Sequence, residues 1–374
     1  MASAPDPSFF AHFASLDDPR LDRSKRHKLG DLAFIAVCAM LCGANGFVAM
    51  AIFAKEKRAW LEKYLELPGG IPAHDTFGRL FAALDAAQFL DCFLSWVEAV
   101  GEATGHRLVG IDGKTARASL DSASGKTALH IVSAWAAASR LLLGQVTVDE
   151  KSNEITAIPK LRELLELHGA IVTIDALGCQ KEIAAKIRAG GGDYVLAVKG
   201  NQEHLEEDII NHFAAFDEGR LRQRPRVAES QEQGHGRQEY RRCAAFAVPP
   251  PLRGLEFWRD AGSICRVTRV YTEKGEVRYY LSSLPPDAEL LARAVRQHWG
   301  IENGLHGVLD MYFGEDRSRA RTDAAAANMA LRRRWALSLL RQDETRQGGI
   351  ENKRLQLGWN ERKLEILLGL SSGN

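Results

Sequence analysis

Ala170-Ile171-Val172-Thr173-Ile174-Asp175 is an unbroken run of small, aliphatic and β-branched residues that ends in a carboxylate. A run with no polar side suits a strand covered on both faces rather than one alternating between core and water. Gly169 closes the helical pattern of residues 156–168 before it. A second helical pattern over 180–188 follows it and stops at Gly190-Gly191-Gly192. Tyr194-Val195-Leu196-Ala197-Val198 then repeats the buried run and ends in Lys199. Strands alternating with helices of these lengths predict a parallel βαβ unit.

Working upstream, Arg107-Leu108-Val109-Gly110-Ile111 is a short apolar strand ending in Asp112-Gly113-Lys114. Residues 128–136 and 141–148 are two more strands, joined by a turn around Ser139-Arg140. The order is β-β-β-α-β-α-β: an α/β sheet whose first three strands form a meander. By order alone it matches an RNase H-like mixed sheet with flanking helices. Residues 1–100 read as all-helical, with one pattern over 47–67, a third helix after Pro72 and a fourth in which Phe89, Phe93 and Trp96 share a face. Downstream, a helical pattern runs over 201–213. After a polar, arginine-rich stretch, strand-like runs at 238–248, 263–271 and 277–284 predict an inserted β-rich subdomain. The expected division is an N-terminal helical domain at 1–100 and an α/β domain at 101–345 with its insertion at about 201–287. A polar C-terminal tail at 346–374, with one short amphipathic helix at 364–370, completes it.

The chain has 374 residues, 45% apolar and 26% charged, with a formal net charge of +1, so it is neither disordered nor globally basic. Arginine is nonetheless clustered: Arg220, Arg222, Arg224 and Arg226, with Arg237, Arg241 and Arg242 nearby; Arg317, Arg319 and Arg321; Arg332, Arg333 and Arg334; and Arg20, Arg23 and Arg26 with Lys25 and Lys28. Any one cluster is most simply a solvated face. Four against so flat a total point to a polyanion. The six cysteines form no CxxC pair, which suits reduced thiols in a cytoplasmic chain. The N-terminus has no basic segment followed by an apolar core, so no signal peptide is expected. Residues 32–54 carry no charge and are long enough to span a bilayer. Gly43-Ala44-Asn45-Gly46 breaks them, predicting two buried helices joined by a turn and no membrane partner.

Two strands end in aspartate, Ile111-Asp112 and Ile174-Asp175. In open α/β sheets functional groups gather at the carboxyl ends of strands, and like charges at the rim of a core call for a cation. A third acid comes from a helix, where Ile301, Leu305, Val308, Leu309 and Tyr312 form one apolar stripe with Glu302 at its edge, flanked by His298 and His306. Asp112, Asp175 and Glu302 together make an oxygen-rich set suited to Mg²⁺ or Mn²⁺. Two such ions, about 3.5–4 Å apart, serve phosphoryl transfer. Competing readings are weaker. Gly113-Lys114-Thr115 and Gly125-Lys126-Thr127 lack the earlier glycine of a P-loop. His298, Glu302 and His306 have no second cluster to complete a zinc site. Cys179 has no positioned base to make it a nucleophile.

Several motifs resemble the transposases of the H-repeat-associated insertion-sequence family. They are Asp112-Gly113-Lys114-Thr115, the stretches Glu150 to Pro159 and Thr173 to Gln180, and Asp193 to Gln202. His298-Trp299-Gly300-Ile301-Glu302-Asn303 follows, with Leu305-His306, Leu309-Asp310 and Glu315-Asp316. Asp18-Pro19-Arg20, His27-Lys28-Leu29 and Ile71 to Phe77 resemble that family's associated helical domain. The resemblance implies an RNase H-like DDE transposase: Asp112, Asp175 and Glu302 as catalytic and metal-binding residues, and Mg²⁺ or Mn²⁺, two ions, as cofactor. It implies double-stranded DNA as partner, both terminal inverted repeats and target, and a homodimer joining two ends, cytoplasmic and nucleoid-associated when bound. The expected chemistry is nicking at the element ends followed by attack of the freed 3′-OH on target DNA. Lys114, Arg117 and Lys199 lie next to strand ends and are candidate phosphate contacts. Asn201, Gln202, Arg296, His298, Arg317 and Arg321 join them as expected DNA-binding residues. The wider superfamily often places an arginine four residues before the glutamate and a lysine seven after; here those positions hold His298 and Leu309. A decayed DNA-binding protein, or a structure-specific nuclease of the same fold, is the alternative left open by the residues.

Overall fold

Nine strands of one mixed sheet organise the described part of the chain. They are Leu108–Ala116 (β1), Leu129–Ala136 (β2), Leu141–Val148 (β3), Ile171–Ile174 (β4), Asp193–Val198 (β5), Arg226–Gly234 (β6), Arg237–Ala247 (β7), Ser263–Tyr271 (β8) and Lys274–Ser282 (β9). The computed structural model describes residues 9–100, 108–116, 129–136, 141–148, 167–234, 237–249, 252–271, 274–301, 305–318, 320, 323–343 and 346–370, with β1–β3 described by backbone course and register. The strand order is β3-β2-β1-β4-β5-β9-β8-β7-β6. β1, β2 and β3 are an antiparallel meander, as expected. β4 runs parallel to β1 and β5 parallel to β4. β9 joins β5 antiparallel, and a second meander continues outward to β6. The strands of residues 226–282 therefore extend the central sheet instead of forming a sheet of their own. The expected helix at 156–168 and the turn at 139–140 lie largely or wholly outside the described residues.

Alternation along β5 shows why this centre is apolar throughout. Tyr194, Leu196 and Val198 face one core with the helices Lys181–Ala189 and Glu203–Asp217, while Val195 and Ala197 face another with Leu291, Ala294 and Val295 of the helix Ala288–Ile301. A strand with helices on both faces has no polar side to offer. The Ala288–Ile301 helix starts where Asp287 Oδ1 accepts the amides of Glu289 and Leu290 at 3.1 and 3.0 Å, an N-terminal cap.

The strand β6 was not visible as a strand in the sequence. Arg226-Val227-Ala228-Glu229-Ser230-Gln231-Glu232-Gln233-Gly234 reads as polar and lacks alternation, because it is the edge of the sheet. Edge strands carry charge to discourage further pairing.

The helical parts share one core. Leu29–Leu41 is buried almost along its whole length, while Phe47–Glu56 buries only Met50, Ala51 and Ala54. The uncharged stretch thus forms two helices joined by a turn, as expected, but only the first is buried all round. Among the described residues no helix is long and apolar enough to cross a membrane. The single helix expected over 47–67 breaks at Lys57, and a short turn of helix, Arg58–Leu61, follows. Leu67 adopts φ 47°, with its amide donating to the buried Asp31 carboxylate at 3.2 Å. Trp335 of the helix Asp323–Gln342 stacks on Phe93 with ring centroids 4.0 Å apart and lies 4.6 Å from Phe89.

The C-terminal residues correct a further expectation. Instead of a tail with one short helix they form Ile350–Trp359 and Glu361–Leu367, and bury Leu357, Leu364 and Leu368 in the N-terminal core. Arg354 donates to Met40 O at 2.7 Å and Asn45 Oδ1 at 2.6 Å; Trp60 Nε1 and Tyr64 OH donate to Glu365 at 3.0 and 2.8 Å. The arginines at 332–334 correct another. They are 1%, 2% and 0% exposed, so they form neither a solvated face nor a surface for a polyanion. Arg334 pairs with Glu315 at 2.6 Å inside the core, and Arg332 lies 3.6 Å from the centroid of the Phe81 ring.

Candidate active site

β1 and β4 run side by side with Ile111 opposite Ile174, so Asp112 and Asp175 are the next residues on neighbouring parallel strands. Adjacent strands lie about 4.8 Å apart. β1 does not end at Asp112, as its sequence suggests: it continues to Ala116, with Asp112 opposite Ser133, Gly113 opposite Val132 and Lys114 opposite Ile131. What ends at Asp112 is the pairing with β4. Gly113-Lys114 imitates a turn in sequence, but hairpin pairing with β2 keeps it extended.

Past Asp175 the chain makes the 3₁₀ turn Ala176–Gly178 and enters Lys181–Ala189 through Gln180. Cys179 in this segment is fully buried, and burial pushes its thiol up to about 12, with the Asp175 charge adding to the shift. A thiol so protonated is not a nucleophile, which removes that alternative.

The helix Ala288–Ile301 crosses one face of the sheet and brings its last turn to β4. The His298 ring shares a hydrogen bond with Thr173 Oγ1 at 3.1 Å, two residues before Asp175. Burial pushes the pKa of His298 down to about 4, against the pull of Asp175 and with a further push from Arg278. His298 is therefore neutral at pH 7 and engages β4 as a hydrogen-bonding ring. The neighbouring Trp299 holds the guanidinium groups of Arg278 and Arg269 4.2 and 4.8 Å from its ring centroid, an attractive geometry for cations over an indole. Thr173 and Trp299 fall inside motifs quoted from the sequence but are not among the site residues expected from it. The available signal for Thr173 was a lone hydroxyl in an otherwise aliphatic strand.

Glu302 follows Ile301 directly but lies outside the described residues, as do Arg117 and Arg321. Leu305 and His306 form a π-type turn that leads into the helix Gly307–Phe313. Of the predicted stripe, Leu305 and Leu309 are fully buried, and Val308 and Tyr312 pack partly against the same core. Leu309, at the position where the superfamily often has lysine, thus faces the interior.

The remaining candidates occupy several places. Lys199 is exposed and leads into the turn Gly200–Gln202 after β5. Asn201 Nδ2 donates to Ala176 O at 2.5 Å and Gln202 Nε2 to Cys179 O at 2.9 Å, both in the segment after Asp175. Arg296 is exposed and pairs with Glu232 of β6. Arg317 is exposed on the turn Glu315–Arg317. The structure therefore brings Asp112, Asp175, Lys199, Asn201, Gln202 and His298 to neighbouring strands and loops, and sets Arg296 and Arg317 elsewhere on the surface. Among the described residues there is no group of three acids, histidines or cysteines that could hold a metal.

A family model described as "Transposase DDE domain" matches residues 103–339, and one described as "DDE_Tnp_1-associated" matches residues 10–97. The chain is 38% identical to the protein named "Putative transposase YncI" of Escherichia coli O157:H7, over 98% of this chain and 95% of that one. It is 35% identical to the "H repeat-associated putative transposase YhhI" of Escherichia coli K12, over 96% of each. It is also 44% identical to the "Uncharacterized protein in dhlA 3'region" of Xanthobacter autotrophicus, over 64% of this chain and 80% of that one.

Proposed function

This chain belongs to the DDE transposase family, and from that premise we propose that it nicks DNA at the ends of an insertion sequence and joins the freed 3′-OH to target DNA. The observation that carries this is the β1–β4 register, which delivers Asp112 and Asp175 from adjacent strands. Glu302 is the third acid. It directly follows Ile301 in the chain, and the last turn of that helix is held to β4 by His298 and Thr173. The catalytic domain is read as an RNase H-like core over 101–345, with the 201–287 segment inserted before the glutamate and the 1–100 helical domain ahead of it.

The donor chemistry of two aspartates carried by adjacent strands suits Mg²⁺ or Mn²⁺. Bound there, such ions would supply Lewis acidity toward an attacking oxygen and charge neutralisation at the leaving one. Asp112, Asp175 and Glu302 would hold them. Lys114, Arg117 and Lys199 orient the scissile phosphate. Arg222, Arg224 and Arg226 are exposed and enter no ion pair among the described residues, so they suit the DNA backbone. Two copies of the chain hold two ends in this proposal.

Asp112→Ala is expected to abolish Mg²⁺-dependent nicking of end-containing DNA and to leave binding of that DNA nearly intact. Nicking at the wild-type rate by this variant overturns the site assignment.

A further inference from the structure

We propose that Asn201 and Gln202 are positioning residues that hold the Asp175 loop ready for a divalent cation, and not contacts to DNA. The proposal rests on the metal-dependent reading of Asp112 and Asp175. Two loops follow two adjacent parallel strands here. One leaves β4 through Asp175 and the turn Ala176–Gly178; the other leaves β5 through Lys199 and the turn Gly200–Gln202. Asn201 Nδ2 donates to Ala176 O at 2.5 Å, and Gln202 Nε2 donates to Cys179 O at 2.9 Å. A carbonyl oxygen only accepts, so the amide nitrogens are the ends that must face it.

The Asp175 loop has modest means of its own. Gly178 N reaches Asp175 O at 3.2 Å and Cys179 N reaches Ala176 O at 3.2 Å, both at the long limit for such bonds, and the one shorter bond, Gln180 N to Gly178 O at 2.9 Å, lies beyond the turn. The two amides from the neighbouring loop add bonds of 2.5 and 2.9 Å across it, one on the residue directly after Asp175. Asp175 is then fixed on one side by the pairing of Ile174 with Ile111 and Leu196, and on the other by the stapled carbonyl of Ala176. Phosphate oxygens offer no donors, and each of these amides has already committed one N–H to the loop. Groups that orient a metal ligand typically matter by about 10–100-fold in metal affinity or activity.

Asn201→Leu and Gln202→Met remove the donors, keep the approximate shape and add no charge that would repel DNA. The full chain, the two single variants and the double variant are compared in three measurements. In metal-free protein, amide hydrogen exchange over residues 176–180 is expected to quicken in the variants. In metal-free buffer, affinity for end-containing duplex is expected to stay at the wild-type value. With Mg²⁺ added, the concentration giving half-maximal nicking is expected to rise about 10-fold or more. DNA affinity that falls while loop exchange stays unchanged overturns the proposal and makes these residues DNA contacts. Unchanged exchange with an unchanged Mg²⁺ requirement in a wild type that nicks also overturns it. A wild-type chain that nicks with neither Mg²⁺ nor Mn²⁺ sinks the metal reading itself, a result distinct from either of those.

Discussion

His212, in the helix Glu203–Asp217, lies edge-on to Phe246 with centroids 4.7 Å apart, and burial lowers its pKa below the usual histidine value. The unfolded chain therefore binds this proton more readily than the folded one, so stability falls as pH drops below about 6.5. His212→Phe is expected to reduce the loss of urea midpoint between pH 7.5 and pH 5. An equal loss in variant and wild type would show that the ring is not a source of acid sensitivity. At this scale the candidates were legible: Asp112 and Asp175 are conspicuous because each follows an aliphatic run, and the register sets them on adjacent strands. The local strand end was not legible at Asp112, because pairing with β2, whose residues begin 17 positions later, extends β1 past it. The site partners Thr173 and Trp299 were missed because their meaning depends on what lies across the sheet.

Arginine runs separate at the scale of elements. Arg222, Arg224 and Arg226 precede and enter an edge strand and are exposed, whereas Arg332, Arg333 and Arg334 belong to a helix enclosed by others. Arg224→Ala is expected to weaken binding to DNA of any sequence and to lower the slope of log affinity against log salt by about 1. Its folding stability should stay within about 0.5 kcal/mol of wild type. Arg334→Met takes a buried ion-pair partner at 2.6 Å from Glu315 and is expected to destabilise the fold, by up to about 3–5 kcal/mol. Urea denaturation and salt titrations of DNA binding, run on both variants, check the pair of outcomes. A stable Arg334→Met chain with impaired DNA binding would return that run to the DNA surface. Composition could not separate these runs, since an arginine has the same charge whether it ends against water or against Phe81.

Across the whole molecule, the first and last helices close one core. Leu357, Leu364 and Leu368 fill it alongside Phe34 and Trp60, and Glu365 takes hydrogen bonds from Trp60 and Tyr64. Closing a loop of some 300 residues costs little more than closing a shorter one, because the entropy grows only with the logarithm of length. The cost is met by burial of apolar side chains, each worth about 1.5–3 kcal/mol. Removing residues 347–374 is therefore expected to expose the N-terminal helices to limited proteolysis and to lower the thermal midpoint. Unchanged protease resistance of residues 29–96 would count against a shared core.

The sequence by itself determined the alternation of strands and helices, the two strand-borne aspartates and the family motifs, because periodicity and local residue chemistry act within a few residues of the chain. Tertiary structure alone decided that the strands of 226–282 join the central sheet, that three consecutive arginines lie inside, and that the polar C-terminal helices complete the N-terminal core. It also decided that Asn201 and Gln202 hold the loop after Asp175. Each of these is a contact between segments far apart in sequence, and its energy comes from the partner's burial or hydrogen bond, which no pattern within one segment encodes.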